Sequence, residues 1–373
     1  MHRLTIPCDE CATVRARLEQ HGYRVADCAP DAAAGEGNCA IAFEQPPATA
    51  RARRSARAAA PALTPSQVAA AEAIVNIFET GEVLGVYGQV TVIPGDTGHL
   101  TYGRSQTTLG SGNLHELLQR YCAHPGARFG ARLRPQLPRF AAKDLTLDHD
   151  TRLHNLLRAC ADDRVMRELQ DGFFDEAYWR PALRGAERIG VHTPLGVAVV
   201  YDSHVHGSWA RIRDSVDTKF GKVAAIGEQA WISAYVETRR AWLADSPRAD
   251  LRATVYRMDA LRRLVDLDQW ALDPPLVVRG REISAAALAA APPGCYDGPQ
   301  PGTRPIALQQ PLARGLDVRL VQLGLSDRGM DIRADGVYGP GSSRTVKAFQ
   351  VALGLPATGV ADVALVSSLA TGA

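Results

Sequence analysis

The chain has 373 residues, 46% of them apolar and 22% charged, with a formal net charge of +2; this is globular composition with room for two or three domains. Four positive charges, Arg51, Arg53, Arg54 and Arg57, crowd into one short stretch, which leaves the rest slightly acidic and argues against a nucleic-acid binder, since that needs a basic face. There is no run of about 18 apolar residues, so no membrane span is expected.

Residues 1–46 read as a small α/β unit. A strand over Arg3 to Ile6 precedes a helix over Cys11 to His21, and Tyr23 to Val25 and Cys39 to Phe43 read as further strands. The first residues hold no apolar stretch of signal-peptide length. If the protein acts outside the cytoplasm, it is expected to leave by non-classical export or lysis. Four of the seven cysteines, Cys8, Cys11, Cys28 and Cys39, fall in this unit. Cys8-x-x-Cys11 offers half of a zinc site or a redox pair, but no second close pair follows. Unbridged thiols are the first expectation, with a disulfide or a metal as alternatives. The unit carries no legible chemistry beyond a role as adaptor or targeting module.

Residues 47–62 are rich in Pro, Ala and Arg and aperiodic, the pattern of a linker. Residues 63–290 form the large domain. Thr64-Pro65-Ser66 starts a helix with Pro in its first turn. Helical runs follow at Leu114 to Cys122, Asp148 to Ala161, Val165 to Ala177, Leu195 to His206, Gly227 to Ala244 and Ala249 to Leu264. The one extended stretch is Gln89 to Ile93. Pro and Gly crowd residues 291–306, a second linker, and residues 307–373 form a compact terminal domain.

Two carboxyls stand out. Glu79 ends the apolar run Ala70 to Phe78, and Asp96 opens the loop Pro94-Gly95-Asp96-Thr97-Gly98-His99. A carboxyl pair of this kind is what glycosidic hydrolysis uses: one protonates the leaving oxygen, the other activates water or attacks the sugar. Burial of Glu79 beside Ile77 and Phe78 is expected to help it keep its proton.

The terminal segment runs Gly315-Leu316-Asp317-Val318-Arg319-Leu320-Val321-Gln322-Leu323, then Asp335-Gly336-Val337-Tyr338-Gly339-Pro340, Val346-Lys347-Ala348-Phe349-Gln350 and Gly354-Leu355-Pro356. It resembles a peptidoglycan-binding domain, a small three-helix module. Val318, Leu320, Val321 and Leu323 with Val346, Phe349 and Leu353 give two helices apolar faces to pack.

The large domain resembles the chitosanases of glycoside hydrolase family 46, a branch of the lysozyme superfamily. The resemblance rests on the Glu79 helix end, on Gly95-Asp96 with Thr101-Tyr102-Gly103 and Gly110-Ser111-Gly112-Asn113, on Val200-Tyr201-Asp202-Ser203-His204-Val205-His206-Gly207, and on Glu237-Thr238-Arg239, Arg257-Met258-Asp259 and Leu272-Asp273-Pro274. It implies a mainly α, lysozyme-like catalytic domain with a small β element, and an inverting mechanism. Glu79 would be the general acid, Asp96 the base, and Thr101 the hydroxyl that orients the water. Arg239, Asp202 and Arg257 would form a buried ionic chain supporting the acid. Tyr102 and His99 stand beside these residues as expected substrate contacts. His204-x-His206 lacks a third ligand nearby and reads as core or rim histidines. No metal and no organic cofactor are implied.

Two positions depart from the family. Asn113 stands where the family has an aspartate for a glucosamine ammonium, and the arginine that follows the base is replaced in Asp96-Thr97-Gly98-His99. A neutral amide can hydrogen-bond an N-acetyl carbonyl but cannot charge-pair with a cation. The expectation is therefore an endo-acting hydrolase of β-1,4 amino-sugar polymers, with peptidoglycan as first substrate. A chitosanase and a non-catalytic wall-binding protein are the alternatives. A secretion machine or an immunity protein would be the expected protein partners.

Overall fold

The computed structural model describes residues 2–8, 11–12, 14–15, 24–25, 29–30, 38–44 and 63–371. It divides into two compact units, residues 1–62 and 63–373.

In the first unit, β1 (His2–Pro7), β2 (Arg24–Val25) and β3 (Ala29–Pro30) each pair antiparallel with β4 (Asn38–Glu44). The pairing sets Pro7 opposite Asn38 and Ile6 opposite Cys39, so Cys8 arrives beside Cys39 and the two form a disulfide across a Cα separation of 4.9 Å. Cys11 is disulfide-bonded as well. This corrects the expectation of unbridged thiols: strand register made neighbours of residues 31 apart in sequence, which no local spacing announces. The helix expected over Cys11 to His21 falls largely, and residues 47–62 wholly, outside the described residues.

The second unit is mainly helical. It opens with α1 (Pro65–Thr80), whose start is fixed by a reciprocal cap: Thr64 Oγ1 accepts from the Gln67 N–H, and Gln67 Oε1 accepts from the Thr64 N–H. Gly81 ends it in the left-handed region at φ 77°, where a Cβ would be strained. A small antiparallel sheet follows, β5 (Val90–Thr91), β6 (Thr101–Tyr102) and β7 (Thr107–Thr108), with β6 central. The larger helices are α2 (Asn113–Ala123), α3 (Thr151–Cys160), α4 (Arg164–Phe174), α5 (Arg180–Ile189), α6 (Pro194–Val205), α7 (Trp209–Phe220), α8 (Glu228–Ala244) and α9 (Tyr256–Asp266). A hairpin, β8 (Leu276–Val278) and β9 (Arg281–Ile283), precedes the terminal helices α10 (Leu316–Asp327), α11 (Pro340–Ala352) and α12 (Val363–Thr371).

Two cores build the large domain. One gathers α1, α5 to α9 and the β8–β9 hairpin around the buried apolar stretch of α6 from Leu195 to Tyr201. The other gathers α2 to α4 with Leu100, Tyr102 and Leu109 of the small-sheet region. The second core also takes in Leu316, Leu320 and Leu323 of α10. That helix is buried on every side from Leu316 to Ser326, because Val318, Val321 and Leu325 face the terminal module's own core. Leu353, expected in that core, is exposed.

Residues 291–306 are irregular, as a linker would be, but they are packed. Cys295 is buried against Tyr87 and Ala161, the Tyr296 N–H donates to Asp162 Oδ1 at 2.9 Å, and Gly298 and Pro299 carbonyls accept from the Leu316 and Asp317 N–H groups. The terminal module is thus docked. Asn155 reaches from α3 to Ser326, the Ile332 carbonyl and the Ala334 N–H, and the buried Arg319–Asp162 pair closes the seam at 3.1 Å. Burial pushes Asp162 up to about 6, against the pull of Arg319.

Candidate active site

Glu79 sits at the last turn of α1, beside a pocket of about 260 Å³ lined also by Asn76, Gln89, Arg104, Phe174 and Tyr178. Asn76 and Glu79 are three apart on the helix, hence on one face. A π-helical turn, Asp175–Trp179, sits between α4 and α5 and carries Tyr178, the kind of irregularity that re-aims side chains. Contrary to the sequence expectation, Glu79 is not buried: 44% of its side chain is exposed. Ile77 and Phe78 point into the core, as helical periodicity requires when Glu79 lies on the other face.

The ionic chain expected behind Glu79 is present. Arg257 Nη1 pairs with Glu79 Oε1 at 2.9 Å. Its Nε and Nη2 donate to Asp202 Oδ1 at 2.9 and 2.6 Å. Arg239 Nη1 donates to Asp202 Oδ2 at 2.5 Å, and its remaining donors reach Ser208 Oγ and the Gly207 carbonyl. Asp202 and Arg239 are fully buried and Arg257 nearly so. Burial alone would raise the Asp202 pKa, but Arg257 and Arg239 outweigh it and hold the carboxyl below its usual range. The guanidinium of Arg257 also lies over the Phe78 ring at 5.1 Å, and Tyr256 OH donates to the Phe78 carbonyl at 2.7 Å. The end of α1 is therefore gripped by α9 through side chain and backbone together.

His206 Nδ1 lies 3.1 Å from Arg239 Nη2. Burial first, then the Arg257 and Arg239 charges, lower its pKa to about 4, so the neutral ring accepts. His204 contacts the Val200 carbonyl through Nδ1. Among the described residues no cluster of His, Cys, Asp or Glu could hold a metal.

Asp96 is exposed, on the turn that follows β5, and it is not among the residues lining the Glu79 pocket. Its carboxylate lies over Gly98, where a Cβ would come within 2.9 Å of Oδ2. A glycine at this position therefore leaves room for the Asp96 carboxylate. Thr101 opens β6 and donates through Oγ1 to the His99 carbonyl at 3.1 Å, which leaves its lone pairs to accept from water. His99 is anchored, with Nδ1 2.9 Å from Asp148 Oδ2 and a third of its side chain exposed.

Two expected substrate contacts change character. Tyr102 is wholly buried and donates through its hydroxyl to the Leu157 carbonyl at 2.8 Å; it is a core residue, because β6 alternates and Tyr102 takes the inward face opposite Thr101. Asn113 spends Oδ1 on the Thr108 N–H at 2.7 Å and on Ser111 Oγ at 2.6 Å. Only its amide NH₂ remains for a ligand, a donor that suits a carbonyl or hydroxyl oxygen and not an ammonium.

Sequence reasoning missed a second polar cluster beside the pocket. Arg104 is 6% exposed, pairs with Asp171, and lies 3.6 Å from Glu72; Tyr87 OH donates to Asp171 Oδ1 at 2.7 Å. Burial pushes Glu72 up to about 7, and Arg104 offsets this only in part. Glu72 stands seven residues before Glu79, the spacing of one helix face, and that spacing was the available signal.

Comparison with known proteins places the chain in a family. A chitosanase of Bacillus subtilis (strain 168) is 28% identical over 237 residues, which is 59% of this chain and 84% of that protein. The solved chitosanase of Bacillus subtilis MY002 is 26% identical, with 61% of this chain and 98% of that one covered, at a TM-score of 0.48. That of Gynuella sunshinyii, solved with chitotetraose, is 24% identical, with 60% and 98% covered, also at 0.48. Residues 314–369 match the family described as "Putative peptidoglycan binding domain". Residues 73–276, more than half of the chain, match the profile of glycosyl hydrolase family 46, and the chain belongs to that family of glycoside hydrolases.

Proposed function

We propose that the protein is an endo-acting, inverting hydrolase of β-1,4-linked glucosamine polymers, a chitosanase. The observation that carries the reading is the chain Glu79–Arg257–Asp202–Arg239, which fixes one carboxyl at the rim of a sugar-sized pocket within a family 46 domain. Glu79 gives its proton to the glycosidic oxygen as the bond breaks. Arg257 then balances the carboxylate left behind, so little charge reorganises at that moment. Asp96 takes a proton from the attacking water, and Thr101 accepts a hydrogen bond from that water through the lone pairs its own donation leaves free. The curated relative's name supports chitosan as substrate. Reducing-end release from soluble chitosan, set beside release from purified sacculi, tests the reading; activity on sacculi alone would overturn it.

A second reading, cleavage of peptidoglycan glycan, is favoured by one specific observation. The only free hydrogen-bonding group of Asn113 is a donor, and a donor has no use for the ammonium of glucosamine. The family match of residues 314–369 supports the same substrate. On either reading we propose that the protein works in the periplasm or cell wall, after lysis or through a dedicated export machine. Mass spectrometry of the products separates the two substrates.

A further inference from the structure

A cavity of about 500 Å³ lies where the large domain meets the terminal module, with Val86, Gln89, Arg158, Arg319, Arg333 and Asp335 in its wall. Arg319 is neutralised by Asp162 and bonded to the Ala334 and Gly294 carbonyls. Arg158 is not. Its Nη1 donates to the neutral side chain of Asn155 at 3.0 Å, and its Nε is buried without a partner. Burial, then Arg333 and Arg319, lower its pKa to about 10. Arg333 is exposed, and no ion pair to it exists among the described residues. The one carboxylate in the wall, Asp335, commits Oδ1 to Gln322 Nε2 and the Val337 N–H. Two guanidiniums thus line a cavity that carries less negative charge than they need.

We propose that this cavity binds the carboxylate of an acidic substituent carried on a glycan strand. The occupant follows from position. The cavity shares Val86 and Gln89 with the Glu79 pocket. It shares Arg333 and Asp335 with a groove of about 420 Å³ on the terminal module. A strand leaving the pocket past Gln89 reaches Arg158 and Arg333 next, and then the module. Free glucosamine is repelled at that point, whereas a carboxylate gains charge-assisted bonds from both guanidiniums. The site stands apart from bond cleavage; the inference rests on the second reading above, in which the strand held at Glu79 carries acidic substituents.

Calorimetric titration of the full chain with muramyl dipeptide, in its free-acid form and with its carboxyl amidated, tests the proposal. The acid should bind about tenfold tighter than the amide, the scale of one charge-assisted bond. Arg333→Gln should erase that preference at an unchanged melting temperature, since Arg333 holds no other side chain. Should Arg333→Gln melt early, a salt titration of the wild-type chain reads the same charge: the preference for the acid should shrink as ionic strength rises. Equal affinity for acid and amide, or a preference that survives Arg333→Gln or high salt, overturns the proposal. Competition by inorganic phosphate as effective as by the acid ligand marks a general anion site and overturns the assignment to a glycan.

Discussion

The guanidinium of Arg257 spans from the fully buried Asp202, 2.6 Å away, to the half-exposed Glu79 at 2.9 Å. One residue thereby ties a carboxylate that never meets solvent to a carboxyl at the rim of the pocket. Function and stability meet in it, and substitutions on its two sides should separate them.

On the pocket side, Glu79→Gln keeps the shape and an oxygen that can still accept from Arg257 but cannot give up a proton. Turnover should fall by about 10²–10⁴, the usual worth of a general acid, with the melting temperature within a degree or two of wild type. Initial rates on chitosan and a thermal melt check both halves. Near wild-type turnover would remove Glu79 from the acid role.

On the buried side, Asp202→Ala leaves two buried guanidiniums without their shared partner. A loss of about 3–5 kcal/mol is expected in urea unfolding. The sign of the pH dependence also follows. The folded Asp202 carboxyl titrates below its ordinary 3.8, so its contribution is complete above that value and fades as pH falls through the lower, folded value. Asp202→Asn should flatten the acid limb of the stability curve.

Glu72 behaves in the opposite sense. Its pKa rises from 4.5 to about 7, so between those values the folded chain holds a proton that the unfolded chain has lost, and stability falls as pH rises. Glu72→Gln should flatten that slope and stabilise the protein at pH 8 by about 1 kcal/mol. A quarter of the side chain is exposed, which keeps the expected gain small. Unfolding at a series of pH values gives the answer; an unchanged slope would contradict it.

At the domain seam, Arg319→Met should strand the buried Asp162 carboxyl at a cost of about 3–5 kcal/mol. Wild-type residues 63–373 should melt in one calorimetric transition, because the second core crosses the seam. The variant should show two transitions and faster proteolysis within residues 291–306.

Much of this was legible in the sequence. The apolar run that carries Glu79 and its start at Thr64 follow from periodicity and capping pattern, while the chain Asp202, Arg239, Arg257 and the three terminal helices were implied by the family resemblances. What escaped depends on three-dimensional partners. Periodicity says that a residue lies on one face of a helix, not that Glu79 takes the open face. Alternation on a two-residue strand is too short to show that Tyr102 points inward. The Asp148 run begins as a tight turn before α3, and the Ala249 run breaks into two helices, because local propensity does not record where neighbouring helices force a corner. The Cys8–Cys39 bridge depends on strand register, and the packing of residues 291–306 depends on Asp162 and Tyr87, far away in sequence.

The double-sided burial of α10 has a practical reach. An enzyme with a small module after a Pro-rich joint invites handling as a cassette, with that module trimmed or exchanged. Here a cut at residue 290 would bare Leu153, Leu156 and their neighbours, which Leu316, Leu320 and Leu323 now cover. The shortened product would be sticky and prone to clump, and a foreign anchor grafted at the same joint would leave the wound open unless it supplied leucines in the same places.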